Sequence, residues 1–132
     1  MASTDPVTGG GTLELGPPTL IWEHSLGSSL ITDEYGSLSF AGTIAGAGTI
    51  NVLALVSPAG TEKFVAQWSA VATVDGRTGV LDMSLDGTDN GTYSGNLVAY
   101  GTGQLAGIVG QGQFTGQDAT GAGTYTLKYV DR

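Results

Sequence analysis

Glu62-Lys63-Phe64-Val65-Ala66-Gln67-Trp68-Ser69-Ala70-Val71-Ala72-Thr73-Val74-Asp75-Gly76-Arg77 is the stretch on which the fold turns. Successive side chains of an extended chain point to opposite faces. Here Phe64, Ala66, Trp68, Ala70, Ala72 and Val74 share one face, while Lys63, Val65, Gln67, Ser69, Val71 and Thr73 share the other. Neither face is strongly charged, which predicts a long strand covered at least partly on both sides. Asp75-Gly76 then supplies the dipeptide of a tight hairpin turn.

The same signals recur on either side of it. Pro17-Pro18 leads into Thr19 to Ser25, as prolines do at the first residue of a strand. Ser29 to Thr32, Leu38 to Ile44 and Thr49 to Val56 follow, broken by the polar Asp33 to Gly36 segment and by Ala45 to Gly48. Ser57-Pro58-Ala59-Gly60 reads as a turn, with Pro setting φ and Gly closing it. Beyond the Asp-Gly hairpin come Val80 to Leu85, Thr92 to Tyr100, Phe114 to Gly116 and Thr124 to Val130. That is roughly eight strands at the 8–12-residue spacing of a sandwich or barrel. No segment carries a 3.6-residue apolar stripe, so no long helix is expected.

An internal echo bears on closure. Phe40-Ala41-Gly42 followed by Gly46-Ala47-Gly48-Thr49-Ile50 returns as Phe114-Thr115-Gly116 followed by Gly121-Ala122-Gly123-Thr124-Tyr125. Two such units imply a sheet that turns the same corner twice. The expected fold is an all-β, eight-stranded antiparallel barrel, which removes exposed strand edges that few lysines here would protect. A sandwich of short sheets is the alternative.

Composition narrows the class. The chain has 132 residues, the size of one domain. Residues 1–11 read as a polar, Gly-rich flexible tail, and 12–132 as the barrel. Charged residues are 12% of the whole and hydrophobic residues 40%, enough to bury a core. Twenty-three glycines without a three-residue period fit many tight turns rather than collagen. The net charge of −8 argues against nucleic-acid and membrane-surface partners. There is no cysteine, so disulfides, thiol catalysis and cysteine-bound zinc are excluded. One histidine leaves only carboxylates as further ligands, and no metal or other cofactor is expected. The start of the chain lacks the basic and apolar blocks of a signal peptide, and no apolar run is long enough to span a bilayer, so the cytoplasm is the expected compartment.

Four pieces read together carry a family likeness. They are Leu38-Ser39-Phe40-Ala41-Gly42 with Gly46-Ala47-Gly48-Thr49, Phe64-Val65, Gly76-Arg77-Thr78-Gly79, and Gly101-Thr102-Gly103-Gln104-Leu105-Ala106-Gly107-Ile108 with Gly110-Gln111-Gly112-Gln113-Phe114. In that order the chain resembles small bacterial proteins of unknown function that are distantly similar to plant allene oxide cyclase and share its eight-stranded barrel. The resemblance implies an enzyme that holds a flexible apolar substrate in a closing shape, assisted by a carboxylate on the first strand. Glu23, within Trp22-Glu23-His24, stands where that carboxylate would fall.

The residues themselves leave several roles open. His24 is the only histidine and titrates near neutrality. Glu23 and His24 are sequential, so a regular strand turns only one of them inward. A carboxylate inside an apolar lumen would have its pKa raised by desolvation, whereas an outward one would be an ordinary solvated charge. Tyr100 completes the expected catalytic set, and Trp22, Tyr35, Phe40, Phe64 and Trp68 the expected binding set. Such aromatics either line a cavity or simply fill the barrel. Arg77 is expected to order its turn through Asp75.

These features predict a cofactor-independent cyclase or isomerase acting on a small, largely apolar substrate, with natural-product biosynthesis as one setting. The competing prediction is a non-catalytic, lipocalin-like barrel for a small hydrophobic ligand, and a third is a module whose surface is the functional part. A homo-oligomer is expected on either of the first two, because the outer side of the long strand needs cover.

Overall fold

The computed structural model describes residues 5–132 and is built from strands. In chain order they are β1 (Val7–Leu15), β2 (Thr19–Leu26), β3 (Ser29–Gly42), β4 (Ile44–Val56), β5 (Glu62–Val74), β6 (Arg77–Asp89), β7 (Thr92–Thr102), β8 (Ile108–Gln117) and β9 (Ala122–Asp131). A single 3-10 turn, Gly103–Leu105, interrupts them. All neighbours pair antiparallel, and β1 pairs with both β9 and β3. That double pairing closes an eight-stranded barrel of β1 and β3 to β9, with β2 as one extra strand outside the closure.

Local chemistry explains the seams. Asp75 at φ 53° and Gly76 at φ 76° form the tight turn that starts the β5–β6 ladder, which runs from Val74 opposite Arg77 to Glu62 opposite Asp89. β1 is paired to both β3 and β9 from Gly11 to Glu14, and where it enters that seam a Cβ on Gly10 would strike the Tyr125 carbonyl and one on Gly11 the Ala41 carbonyl. The Thr43 hydroxyl fastens this seam, accepting from the Gly10 amide at 2.9 Å and donating to the Gly10 carbonyl at 3.1 Å.

Two expectations need correcting here. Residues 7–11, read as tail, belong to β1, because the glycines that made them look flexible are what lets the backbone fit between two strands. Residues 1–4 of that tail lie outside the described residues. The polar Asp33 to Gly36 segment is continuous strand within β3 rather than a connection, since β4 offers it an unbroken ladder from Leu30 opposite Val56 to Phe40 opposite Gly46.

The core fills one end of the lumen. The inward face of β5 is that of Phe64, Ala66 and Trp68, and Trp68 on it is 1% exposed. Its indole N–H donates to the Leu38 carbonyl at 2.8 Å. Phe40 stands edge-on to both Trp68, at 4.9 Å between ring centres, and Tyr125, at 5.2 Å. The Tyr125 hydroxyl accepts from the Ile44 amide at 2.8 Å and donates to the Ala41 carbonyl at 2.9 Å, bracing the β3–β4 corner. Below it Leu105, carried by the 3-10 turn, plugs the barrel among Ile44, Val74, Leu81 and Ile108, all fully buried. Among the described residues no helix is long and apolar enough to cross a membrane.

Candidate functional site

At the other end the barrel stays open. A cavity of about 440 Å³ enters between the β1–β2 connection, the β8–β9 loop and the inner faces of β3 to β8. Leu13, Leu38, Ile50, Val52, Leu85 and Phe114 are among its apolar walls. Phe64 and Tyr93 flank Phe114, with ring centres 6.2 and 6.3 Å from it. Gly16 to Pro18 cross one side of the mouth, where the Gly16 amide donates to the Ser37 carbonyl at 2.8 Å.

Four carboxyl groups also line this cavity: Glu34 of β3, Glu62 of β5, Asp89 of β6 and Asp118 of the β8–β9 loop. Register puts them together. Glu62 lies on the same face as Phe64 and Trp68, and Asp89 is its direct cross-strand partner. The Asp89 carboxylate also accepts from the Gly91 amide at 2.9 Å, while the Asp118 amide donates to the Gly91 carbonyl at 3.0 Å. The loop bearing Asp118 is pinned by Gly121, whose carbonyl accepts from the Leu15 amide at 2.9 Å and from the Tyr93 hydroxyl at 2.7 Å.

Crowding of these groups in a partly dry wall moves their proton affinities. Desolvation, then the charges of Asp89, Glu34 and Asp118, raise the Glu62 carboxyl from 4.5 to about 7. Desolvation and a hydrogen bond to Asp89, with the Asp89 charge behind them, raise Asp118 from 3.8 to about 6. Burial, helped by the same anions, pushes the Tyr93 phenol up to about 12, so it stays a neutral donor. Among the described residues, no Lys, Arg or His lines the cavity.

Of the residues expected from sequence, Tyr35 and Phe64 line this cavity, Tyr35 at its rim. Phe40 and Trp68 are packed into the core beneath it. Trp22, Glu23, His24 and Tyr100 stand elsewhere. The first three sit on β2, whose residues are all exposed because β1, not β2, closes the barrel. Trp22 and His24 share one face and stack with ring centres 5.9 Å apart, and Glu23 takes the opposite face, in register with Thr32. Tyr100 is 49% exposed on the outer side of β7, opposite Asp82 and Val109. The outer face of β2 to β5 also exposes Trp22, Leu53, Leu55 and Val65.

Glu62, Asp89 and Asp118 are the residues that reading the sequence missed. Two of them were within reach: alternation already put Glu62 on the Phe64–Trp68 face, and counting outward from the Asp75-Gly76 turn pairs it with Asp89. Asp118 arrives through a loop whose course no local signal announces.

Comparison with known proteins agrees with this architecture. The family described as "Protein of unknown function (DUF3224)" matches residues 32–129, and the chain belongs to it. A crystal structure of a protein of unknown function from that family, from Shewanella oneidensis MR-1, is 16% identical with a TM-score of 0.79, covering 97% of this chain and 99% of that one. A protein of unknown function from Clostridium acetobutylicum ATCC 824 is 9% identical with a TM-score of 0.52, covering 100% and 98%. At these identities the likeness is one of fold. No curated protein matches.

Proposed function

We propose that this DUF3224 barrel is a cofactor-independent enzyme of cyclase or isomerase type, acting on a small, largely apolar substrate held in the open half of its lumen. The observation that carries the reading is Glu62: a carboxyl group on an apolar cavity wall, directly opposite a second carboxyl, with its pKa raised to about 7. Such a group exchanges a proton at neutral pH without a metal or coenzyme, and the cavity supplies positioning and partial exclusion of water. Glu62 thus takes the role that the likeness to allene oxide cyclase would have given Glu23, with Asp89 and Asp118 setting its proton affinity and Tyr93 as a neutral hydrogen-bond donor.

A generic probe separates this from a carrier. Nitrobenzisoxazole is neutral and aromatic, and a desolvated carboxylate opens it by taking its ring C–H proton as the N–O bond breaks, releasing a coloured phenolate. The protein should accelerate this reaction over free acetate, with an apparent pKa near that of Glu62, about 7, and Glu62→Gln should abolish the acceleration. Saturable binding of the probe without acceleration would leave the lipocalin-like carrier as the better account.

A further inference from the structure

We infer that β2 is a dimerisation edge: two copies of this chain join antiparallel along residues 22–26, about a two-fold axis at His24, into one continuous sheet. The inference does not depend on what the cavity holds. Among the described residues β2 is the one strand with a single neighbour, β3, so its other edge offers unpaired N–H and C=O groups. Every residue of β2 is exposed, and Leu20, Ile21, Trp22 and Leu26 show half or more of their surface. No lysine or proline lies within Thr19–Leu26 to blunt that edge. The bulge between Leu20 and Trp22 sits toward one end, and residues 22–26 run in unbroken register opposite Asp33 to Ser29.

Such an edge accepts another extended strand with a free edge of its own, and a second copy supplies one. Symmetry and charge then select the register. A two-fold axis perpendicular to the sheet keeps each copy's outer face outward, so directly opposed residues belong to the same face. Trp22, His24 and Leu26 lie on the outer face with Asp33, Ile31 and Ser29, while Glu23 lies on the other face with Thr32. An axis at Glu23 would set two carboxylates against each other, and one at Trp22 would run into the bulge. An axis at His24 opposes Trp22 to the second copy's Leu26 and Glu23 to its Ser25, so no two carboxylates meet. The apolar contact is made twice by symmetry.

The cross-strand rows continue the match. His24, Ile31, Leu55 and Lys63 form one outer row across β2 to β5. Joining two copies makes it a single row with a lysine at each far end. Asp33 falls in a row with Trp22 and with the second copy's Leu26 and Ser29, clear of that copy's Asp33. The joint is small, so the dimer is a weak one that forms as concentration rises.

Sedimentation velocity on the full chain, from sub-micromolar to near-millimolar concentration, should show the mass rise from 13.3 kDa toward twice that value. His24→Lys sets two ammonium groups against each other at the axis and should weaken dimerisation by about tenfold. Val71→Lys, on the outer face of β5 opposite Val80, should leave it unchanged. Melting curves should confirm that both variants are folded. The chain has no cysteine, so a single one reports the register. His24→Cys should oxidise to a covalent dimer, because directly opposed residues of an antiparallel pair lie within disulfide reach. Ser25→Cys, offset from its own copy, should link far more slowly. A chain that stays monomeric throughout would overturn the inference. So would a dimer that His24→Lys leaves intact, or one that Ser25→Cys captures as readily as His24→Cys.

Discussion

The two ends of this barrel are built from the same strands and solve opposite problems. At one end Leu105, Ile44, Val74, Leu81 and Ile108 meet with essentially no exposed surface, and the 3-10 turn that delivers Leu105 seals the tube. At the other, the inward positions of the same sheet carry Glu34, Glu62 and Asp89, and the lumen stays hollow. Eight strands leave an interior just wide enough for side chains or one small ligand. This chain fills one end with side chains and leaves a cavity at the other. The changeover comes within single strands: β5 passes from Glu62 through Phe64 to the buried Trp68 and Val74. Close packing is concentrated at one end, and open space at the other.

The largest effect that tests this division is expected at Trp68. Trp68→Ala removes a fully buried ring and leaves the Leu38 carbonyl without its donor, so it should cost about 3–5 kcal/mol. Against a typical total of roughly 5–15 kcal/mol, that is enough to leave part of the population unfolded. Phe64→Ala, two inward positions nearer the mouth, trims a half-buried ring that already borders a cavity. It should cost only about 1 kcal/mol. Urea denaturation of the two variants measures the difference, and equal costs would mean that the upper lumen is packed as firmly as the lower.

A smaller effect is expected from the carboxyl ring, and it has a definite sign. Glu62 has a folded pKa of about 7 against 4.5, and Asp118 about 6 against 3.8. Both bind protons more tightly in the folded state, so folding is favoured at low pH and loses that contribution as pH rises through 6 and 7. The melting temperature of the ligand-free protein should therefore be higher near pH 5 than at pH 8. Glu62→Gln should flatten that slope, raising the melting temperature at pH 8 by a few degrees and leaving it nearly unchanged in acid. General repulsion at a net charge of −8 acts in the same direction. Removing one outward charge as Asp82→Asn therefore serves as the control, and a flattening of equal size there would deny Glu62 any special position.

The packed end was far more legible in the sequence than the open one. Alternation along Glu62 to Val74 separated the two faces of the strand, and Asp75-Gly76 gave the turn, because both are set by neighbours in the chain. The site depends on which strand closes the barrel. β1 begins in glycines that carry no hydrophobic pattern, so Thr19 to Ser25 read as the first strand, with either Glu23 or the Trp22 and His24 pair turned inward. The carboxyl that desolvation raises toward neutrality is Glu62, while Glu23 stands exposed on β2. The register from the Asp75-Gly76 turn held that answer for Glu62 and Asp89, but only closure reveals that the face they share opens into a cavity.

The smallest expected effect lies at the plugged end, where sequence neighbours were a misleading guide. Arg77 was expected to serve its own turn through Asp75, yet it reaches across to Asp131 at 2.6 Å, tying the start of β6 to the end of β9. Both side chains are partly exposed, which limits such a pair to about 0–1 kcal/mol. Apolar packing around Leu105 already holds this end, so the bridge has little left to add. Asp131→Asn should lower the urea midpoint slightly at low salt, and the loss should vanish at high salt as screening removes the attraction. Asp75→Asn should have no such effect, because asparagine tolerates the positive φ of that turn and the Arg77 contact does not pass through it. A loss at Asp131 of several kcal/mol, insensitive to salt, would mean that the plug is hung on its ion pair, and the contrast between a packed end and a charged end would have to be redrawn.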